Sequence, residues 1–134
     1  PAEKMYRLID DIESYPQFLP WCNKSVVLER STNHVDATLS IDFHGVKQTF
    51  STRNDISARP NLMEIHLLHG PFKNLYGKWQ FIQLDADACK IDFSMEYSFS
   101  NILLNNLMGH VFKRITSSLV DAFVARANYL YSGR

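Results

Sequence analysis

The sequence predicts an α+β fold in which a curved antiparallel β-sheet wraps around one long C-terminal α-helix. Three observations carry this reading. Apolar and polar side chains alternate with period two through the middle of the chain, short turns rich in Gly, Pro, Asn and Asp interrupt that alternation, and the last third carries apolar residues at helical spacing.

Ala2 to Asp11 places Met5, Leu8, Ile9 and Ile12 at helical spacing. That segment ends before Ser14-Tyr15-Pro16, because Pro16 restricts the residue ahead of it. Tyr15 to Cys22 sets Tyr15, Phe18, Leu19 and Trp21 between two prolines, a short rigid apolar corner with at most one helical turn. Lys24 to Arg30 is a first strand. Val35, Ala37, Leu39, Ile41 and Phe43 then alternate with Asp36, Thr38, Ser40 and Asp42, which puts every apolar group on one sheet face. His44-Gly45 makes a tight connection to Val46–Ile56, where Gln48, Thr52 and Asn54 fall among Val46, Phe50 and Ile56, so the inward face turns partly polar at one end. Arg59-Pro60-Asn61 is a turn, Leu62 to His69 a strand, and Gly70-Pro71 a break. Tyr76 to Leu84 carries Trp79 and Phe81 in register, Asp85-Ala86-Asp87 turns, and Lys90 to Phe99 alternates through Ile91, Phe93, Met95, Tyr97 and Phe99. Ser100 or Asn101 caps a helix that runs to about Tyr131, with an apolar stripe of Leu104, Met108, Val111, Ile115, Leu119, Ala122 or Phe123, and Leu130, and Gly133 at the C-cap position.

One domain spanning residues 1–134 is expected from the length, and 46% hydrophobic residues suffice for its core. Fourteen basic residues balance fourteen acidic ones, so the chain lacks the net positive charge of most nucleic-acid binders. Lys47, Arg53, Lys73, Lys78, Lys113 and Arg114 are available but too scattered to form a patch. The longest apolar runs, such as Ile102-Leu103-Leu104, fall far short of the roughly 18 to 20 residues of a membrane span. A soluble chain in a reducing cytoplasm is expected, since Cys22 and Cys89 are too few for a disulfide framework and nothing at the start reads as a signal peptide. The five histidines form no HExxH pair, the cysteines no CxxC, and no nucleophile elbow is visible, so neither a catalytic nor a metal site is expected.

Only the C-terminal helix is long enough to cover the apolar face of six strands, at ~1.5 Å per residue. Sheet and helix meet best along a line and leave an apolar gap, where ligand pockets of about 300–1,000 Å³ occur. Tyr15-Pro16-Gln17-Phe18-Leu19-Pro20-Trp21-Cys22, Gly70-Pro71-Phe72-Lys73-Asn74-Leu75 with Trp79 and Phe81 behind it, and Phe112-Lys113 with Ala122-Phe123 and Arg126-Ala127 together resemble the coenzyme-Q-binding family of START-like proteins. The resemblance covers essentially the whole chain. It implies a helix-grip (START/Bet v 1-like) fold, a hydrophobic ligand such as ubiquinone or another polyprenyl lipid held in support of respiration, no chemistry performed on it, and no further cofactor. The family also holds a branch of bacterial ribosome-association toxins, which implies the alternative of binding the large (50S) ribosomal subunit and blocking subunit joining. The family opens with a strand that pairs with the last strand before the first helix, whereas Pro1 here enters a helix at once, so a longer natural protein is expected. Without that strand, Lys90 to Phe99 is an apolar edge prone to aggregation.

The inward rows Phe43, Phe50, Met63, Trp79, Phe81, Met95 and Tyr97 read either as plain core or as the lining of a lipid cavity. Soft Met side chains re-pack around variable ligands, and Trp79 and Tyr97 carry a polar handle for a quinone carbonyl. Leu104, Met108, Val111 and Ile115 are expected to form the facing wall, with Leu119 in packed core. Phe18, Leu19, Trp21, Pro71 and Phe72 read as a cavity mouth that touches a membrane or partner, or as local packing pinned by proline. A monomer is expected, in the cytoplasm or peripheral at the inner membrane.

Overall fold

A computed structural model describes residues 2–43 and 46–131, with only the backbone of Phe43 and Val46. Helix α1 spans Ala2–Asp10, and a short 3-10 helix over Ile12–Gln17 follows, carrying Pro16 through it instead of ending before it. Six strands come next: β1 (Cys22–Arg30), β2 (His34–Phe43), β3 (Val46–Asp55), β4 (Leu62–His69), β5 (Phe72–Asp85) and β6 (Ala88–Phe99). Each pairs antiparallel with its sequence neighbour, giving the order β1-β2-β3-β4-β5-β6 in one curved sheet. Helix α2, Ile102–Tyr131, closes the chain. This is the predicted architecture.

The differences are local. Strand β5 begins four residues earlier than the alternation from Tyr76 suggests, because a register shift between Phe72 and Asn74 interrupts the two-residue period without ending the pairing. Asn101, rather than Ser100, caps α2: its Oδ1 accepts the Leu104 N–H at 2.9 Å, while Ser100 Oγ donates to the Pro71 carbonyl. The side chain of Phe43, the His44-Gly45 connection and the Gly133 cap position lie outside the described residues.

Phe50, Trp79, Phe81 and Met63 from the sheet and Met108, Phe112, Ile115, Phe123 and Ala127 from α2 are buried together. Phe112 and Phe123 are the anchors of the helix. Phe112 lies among Phe50, Phe72, Tyr97 and Phe99, and Phe123 packs edge-on against Tyr15, Phe18 and Trp79. On the outer face, Arg53 clamps Asp36 with two hydrogen bonds of 2.8 and 2.9 Å, and the hydrogen bond to that guanidinium holds the Asp36 carboxyl below the usual carboxylate range.

Gly70 fixes the exit from β4. Its φ is +154°, and a Cβ placed there would lie 2.7 Å from Phe50 Cβ and 3.4 Å from Phe50 Cα. Neither atom can swing aside as a side-chain tip could. Gly70→Ala is therefore expected to lose about 1–3 kcal/mol from backbone strain alone, with the clash adding to it. Urea unfolding measures this, and an unchanged midpoint would show that the chain reroutes without cost.

Candidate functional site

The inward side chains of β2 to β6 do not meet α2 everywhere. Between them lies a cavity of about 70 Å³. Ala37 and Leu39 of β2, Phe50, Thr52 and Asn54 of β3, Ile65 of β4, Trp79 of β5, and Phe93 and Met95 of β6 line it on the sheet side. Phe112, Ile115, Thr116, Leu119 and Phe123 of α2 face them, and Ile12, Tyr15 and Trp21 close one end. Among the described residues, no Lys, Arg, His, Asp or Glu belongs to this lining. At β5 the row is relieved by Gly77, where an added Cβ would come within 2.9 Å of Met95 Cε, so the Met95 tip occupies space that a larger residue would fill.

Of the residues expected in the ligand rows, the structure brings Phe50, Trp79, Met95 and Ile115 to this cavity. Met63, Phe81 and Met108 are fully buried away from it, and Tyr97 packs into the Phe72, Phe99 and Phe112 cluster. Leu104 and Val111 are half-buried and lie off the lining. The expected wall roles of Met108 and Leu119 are reversed: Leu119 lines the cavity and Met108 is sealed core. Position along α2 explains the reversal: Met108 and Leu119 share the stripe that faces the sheet, with Phe112, Ile115, Phe123 and Ala127, but the cavity lies beside the stretch from Phe112 to Phe123, and Met108, a turn closer to the start of the helix, falls beyond it.

The expected mouth is corrected as well. Leu19, Trp21 and Phe72 are buried, 1%, 7% and 6% exposed, so they are not apolar loop tips. Phe72 belongs to β5 and stacks on Phe99, with ring centroids 5.0 Å apart. Pro71 is half-buried ahead of it. Phe18 is half-buried under the Arg126 guanidinium, which lies 5.0 Å from its ring and also donates to Gln17 Oε1 at 3.0 Å. The corner thus ties to α2 as packing. Exposed large apolar side chains lie elsewhere: at Ile102, Leu103 and Leu107 at the start of α2, at Val124, Tyr129 and Tyr131 toward its end, and at Leu28, Ile82 and Leu84 on the sheet.

Sequence reasoning missed Ile12, Tyr15, Ala37, Leu39, Thr52, Asn54, Ile65 and Phe93, and on α2 Phe112, Thr116, Leu119 and Phe123, as lining residues, although most lie in phase with or beside an inward row already visible in the sequence. Tyr15 is held in place by donating its hydroxyl to the Ile9 carbonyl, and its burial raises the phenol pKa. Burial also pushes the Cys22 thiol up to about 11, so at neutral pH it is a protonated thiol and a poor nucleophile. Glu29, His34 and Asp36 offer ligand atoms within 4.8 Å of one another on the outer face. Asp36 is already held by Arg53, however, and His34 Nε2 already meets Glu29 at 3.0 Å.

A curved sheet gripping one long helix around a small, partly open apolar cavity defines a helix-grip protein. The family described as polyketide cyclase / dehydrase and lipid transport matches residues 1–124, and the chain belongs to it. Among relatives, the ribosome association toxin RatA of Escherichia coli (strain K12) is 40% identical over 133 residues, covering 99% of this chain and 84% of that protein. The mitochondrial coenzyme Q-binding protein COQ10 homolog B of Xenopus laevis is 26% identical over 132 residues, covering 96% of this chain and 54% of that protein. Both branches of the expected family are therefore represented. The crystal structure of the Zhui aromatase/cyclase from Streptomyces sp. R1128 superposes with a TM-score of 0.82 at 18% identity, over 99% of this chain and 91% of that one, a likeness of fold alone. Among the described residues no helix is long and apolar enough to cross a membrane.

Proposed function

We propose that this protein is a non-catalytic binder of a hydrophobic ligand with a polyprenyl tail, in the first instance a polyprenyl quinone such as ubiquinone, taken up between the sheet and α2. The observation that carries this reading is the apolar cavity between sheet and helix, which among the described residues no ionisable side chain apart from the Tyr15 phenol lines. Its contents support binding over catalysis. Tyr15 already spends its hydroxyl on a backbone carbonyl, and among the described residues the lining offers no cysteine or histidine to act as nucleophile or base. A volume of about 70 Å³ is well below the roughly 300–1,000 Å³ of ordinary ligand pockets, so entry requires α2 and the flexible Met95 to shift outward.

Both tryptophans, Trp21 and Trp79, line the cavity and report on its filling. Titration with a short-tailed ubiquinone is expected to change tryptophan fluorescence, and ligand at 100 times its dissociation constant should add about 2.7 kcal/mol to stability. Unaltered fluorescence together with an unaltered unfolding midpoint overturns the reading.

A second reading, association with the large ribosomal subunit, is favoured by the name of the relative that is 40% identical across almost the whole chain. Sucrose-gradient fractionation tests it separately. Protein absent from the large-subunit fraction, with assembled ribosomes unchanged on overexpression, rejects it.

A further inference from the structure

Strand β3 breaks its own apolar pattern where burial is deepest. Phe50, Thr52 and Asn54 share the inward face, so the alternation that buries a phenyl ring also buries a hydroxyl and a carboxamide, each 5% exposed. Their cross-strand neighbours are hydrocarbon. Ala37 and Val35 of β2 lie opposite on one side, and Leu67 and Ile65 of β4 on the other.

A carboxamide has two N–H donors and one carbonyl acceptor. Thr52 Oγ1 donates to Asn54 Oδ1 at 3.2 Å, which engages the acceptor end. Among the described residues, Asn54 Nδ2 has no acceptor. Buried polar groups in folded proteins are hydrogen-bonded in the great majority of cases, so a donor left open in an apolar cavity calls for a partner that the chain does not supply. The partner must also be neutral. Among the described residues no cation lines the cavity, and a carboxylate or phosphate brought into it would be buried without a counter-charge from them.

We infer that Asn54, oriented by Thr52, is the recognition group of the cavity: its Nδ2 donates to an uncharged carbonyl oxygen on the head of the ligand. This rests on the ligand-binding reading above and narrows it to neutral carbonyl compounds such as quinones and ketones. Plain hydrocarbons and fatty-acid anions are disfavoured.

Three probes with the same tail separate these classes: decylbenzoquinone, decylbenzene and decylbenzoate, each titrated against the protein with tryptophan fluorescence as the readout. The wild type is expected to bind the quinone about tenfold tighter than decylbenzene, with the benzoate weakest. Asn54→Leu, close in shape but without donors, should weaken the quinone by about tenfold and leave decylbenzene unchanged or tighter. The double variant Thr52→Val with Asn54→Leu removes both polar partners, leaves no hydroxyl orphaned, and guards against misfolding of the single variant. Thermal unfolding without ligand establishes that each is folded. If either folded variant keeps the wild-type preference for quinone, or the wild type binds decylbenzene as tightly as quinone, Asn54 is not the anchor, while the ligand-binding reading stands. If the wild type binds none of the three probes, both fall.

Discussion

Phe112→Ala is expected to cost about 3–5 kcal/mol of folding free energy, a large share of the 5–15 kcal/mol typical of a domain. Phe112 is 2% exposed, and its ring centroid lies 4.7 Å from Tyr97, 5.0 Å from Phe72, 6.1 Å from Phe50 and 6.2 Å from Phe99. These partners come from β3, β5 and β6, so one side chain holds the helix to three strands. Truncation removes the transfer free energy of the ring and several aromatic pairs, worth about 0.5–1.5 kcal/mol each beyond area. It also enlarges the cavity that Phe112 borders, and the void on the side away from that cavity cannot close, because the surrounding rings are anchored on strands already fixed by their ladders. Urea unfolding of the variant gives the number. A loss below about 1 kcal/mol would mean that the cluster re-packs freely and that α2 is held elsewhere.

Met108→Ala and Leu119→Ala are expected to part company. Met108 is fully buried and off the cavity, so its truncation should cost about 2–5 kcal/mol and leave ligand affinity unchanged. Leu119 is half-buried and borders space that already exists, so its truncation opens less new void and costs less, while altering the volume a ligand meets. Unfolding free energy and ligand affinity measured on both variants decide the matter. Equal stability losses with equal affinities would remove the distinction between core and wall.

Those two residues also mark where the sequence stops being legible. The period-two rows identified the inward faces of five strands correctly, because in an antiparallel meander each strand's facing is set by its own alternation. Strand order needed no more, since every turn was short. The phase of α2 was harder to read. Val111 and Phe112 are both apolar neighbours, and in a helix with apolar residues on several sides only contact with Phe50, Phe72 and Tyr97 decides which of them points inward. Phase alone does not separate Met108 from Leu119, which share one stripe: where along the helix the sheet draws away from it is set by the tertiary packing, and that places Leu119 beside the cavity and Met108 in sealed core. Phe72 failed for a different reason: Gly70-Pro71 signals a loop, yet the chain resumes pairing directly after it, with Phe72 opposite Phe99. The polar positions Thr52 and Asn54 were visible as an interruption of the β3 row, but whether they faced a cavity or a packed neighbour depended on where α2 lay.

The strand order has a consequence for biosynthesis. Every β-ladder joins consecutive strands, so the whole sheet can assemble from hairpins as they leave the ribosome, with little chain to wait for. The element that shields its greasy side is made after all six strands, beginning only at Ile102. Between the emergence of Phe99 and that of Phe123, a nascent chain carries a paired sheet with Phe50 and Trp79 not yet met by Phe112 and Phe123, an interval in which rapid docking of α2 limits the exposure that leads to aggregation.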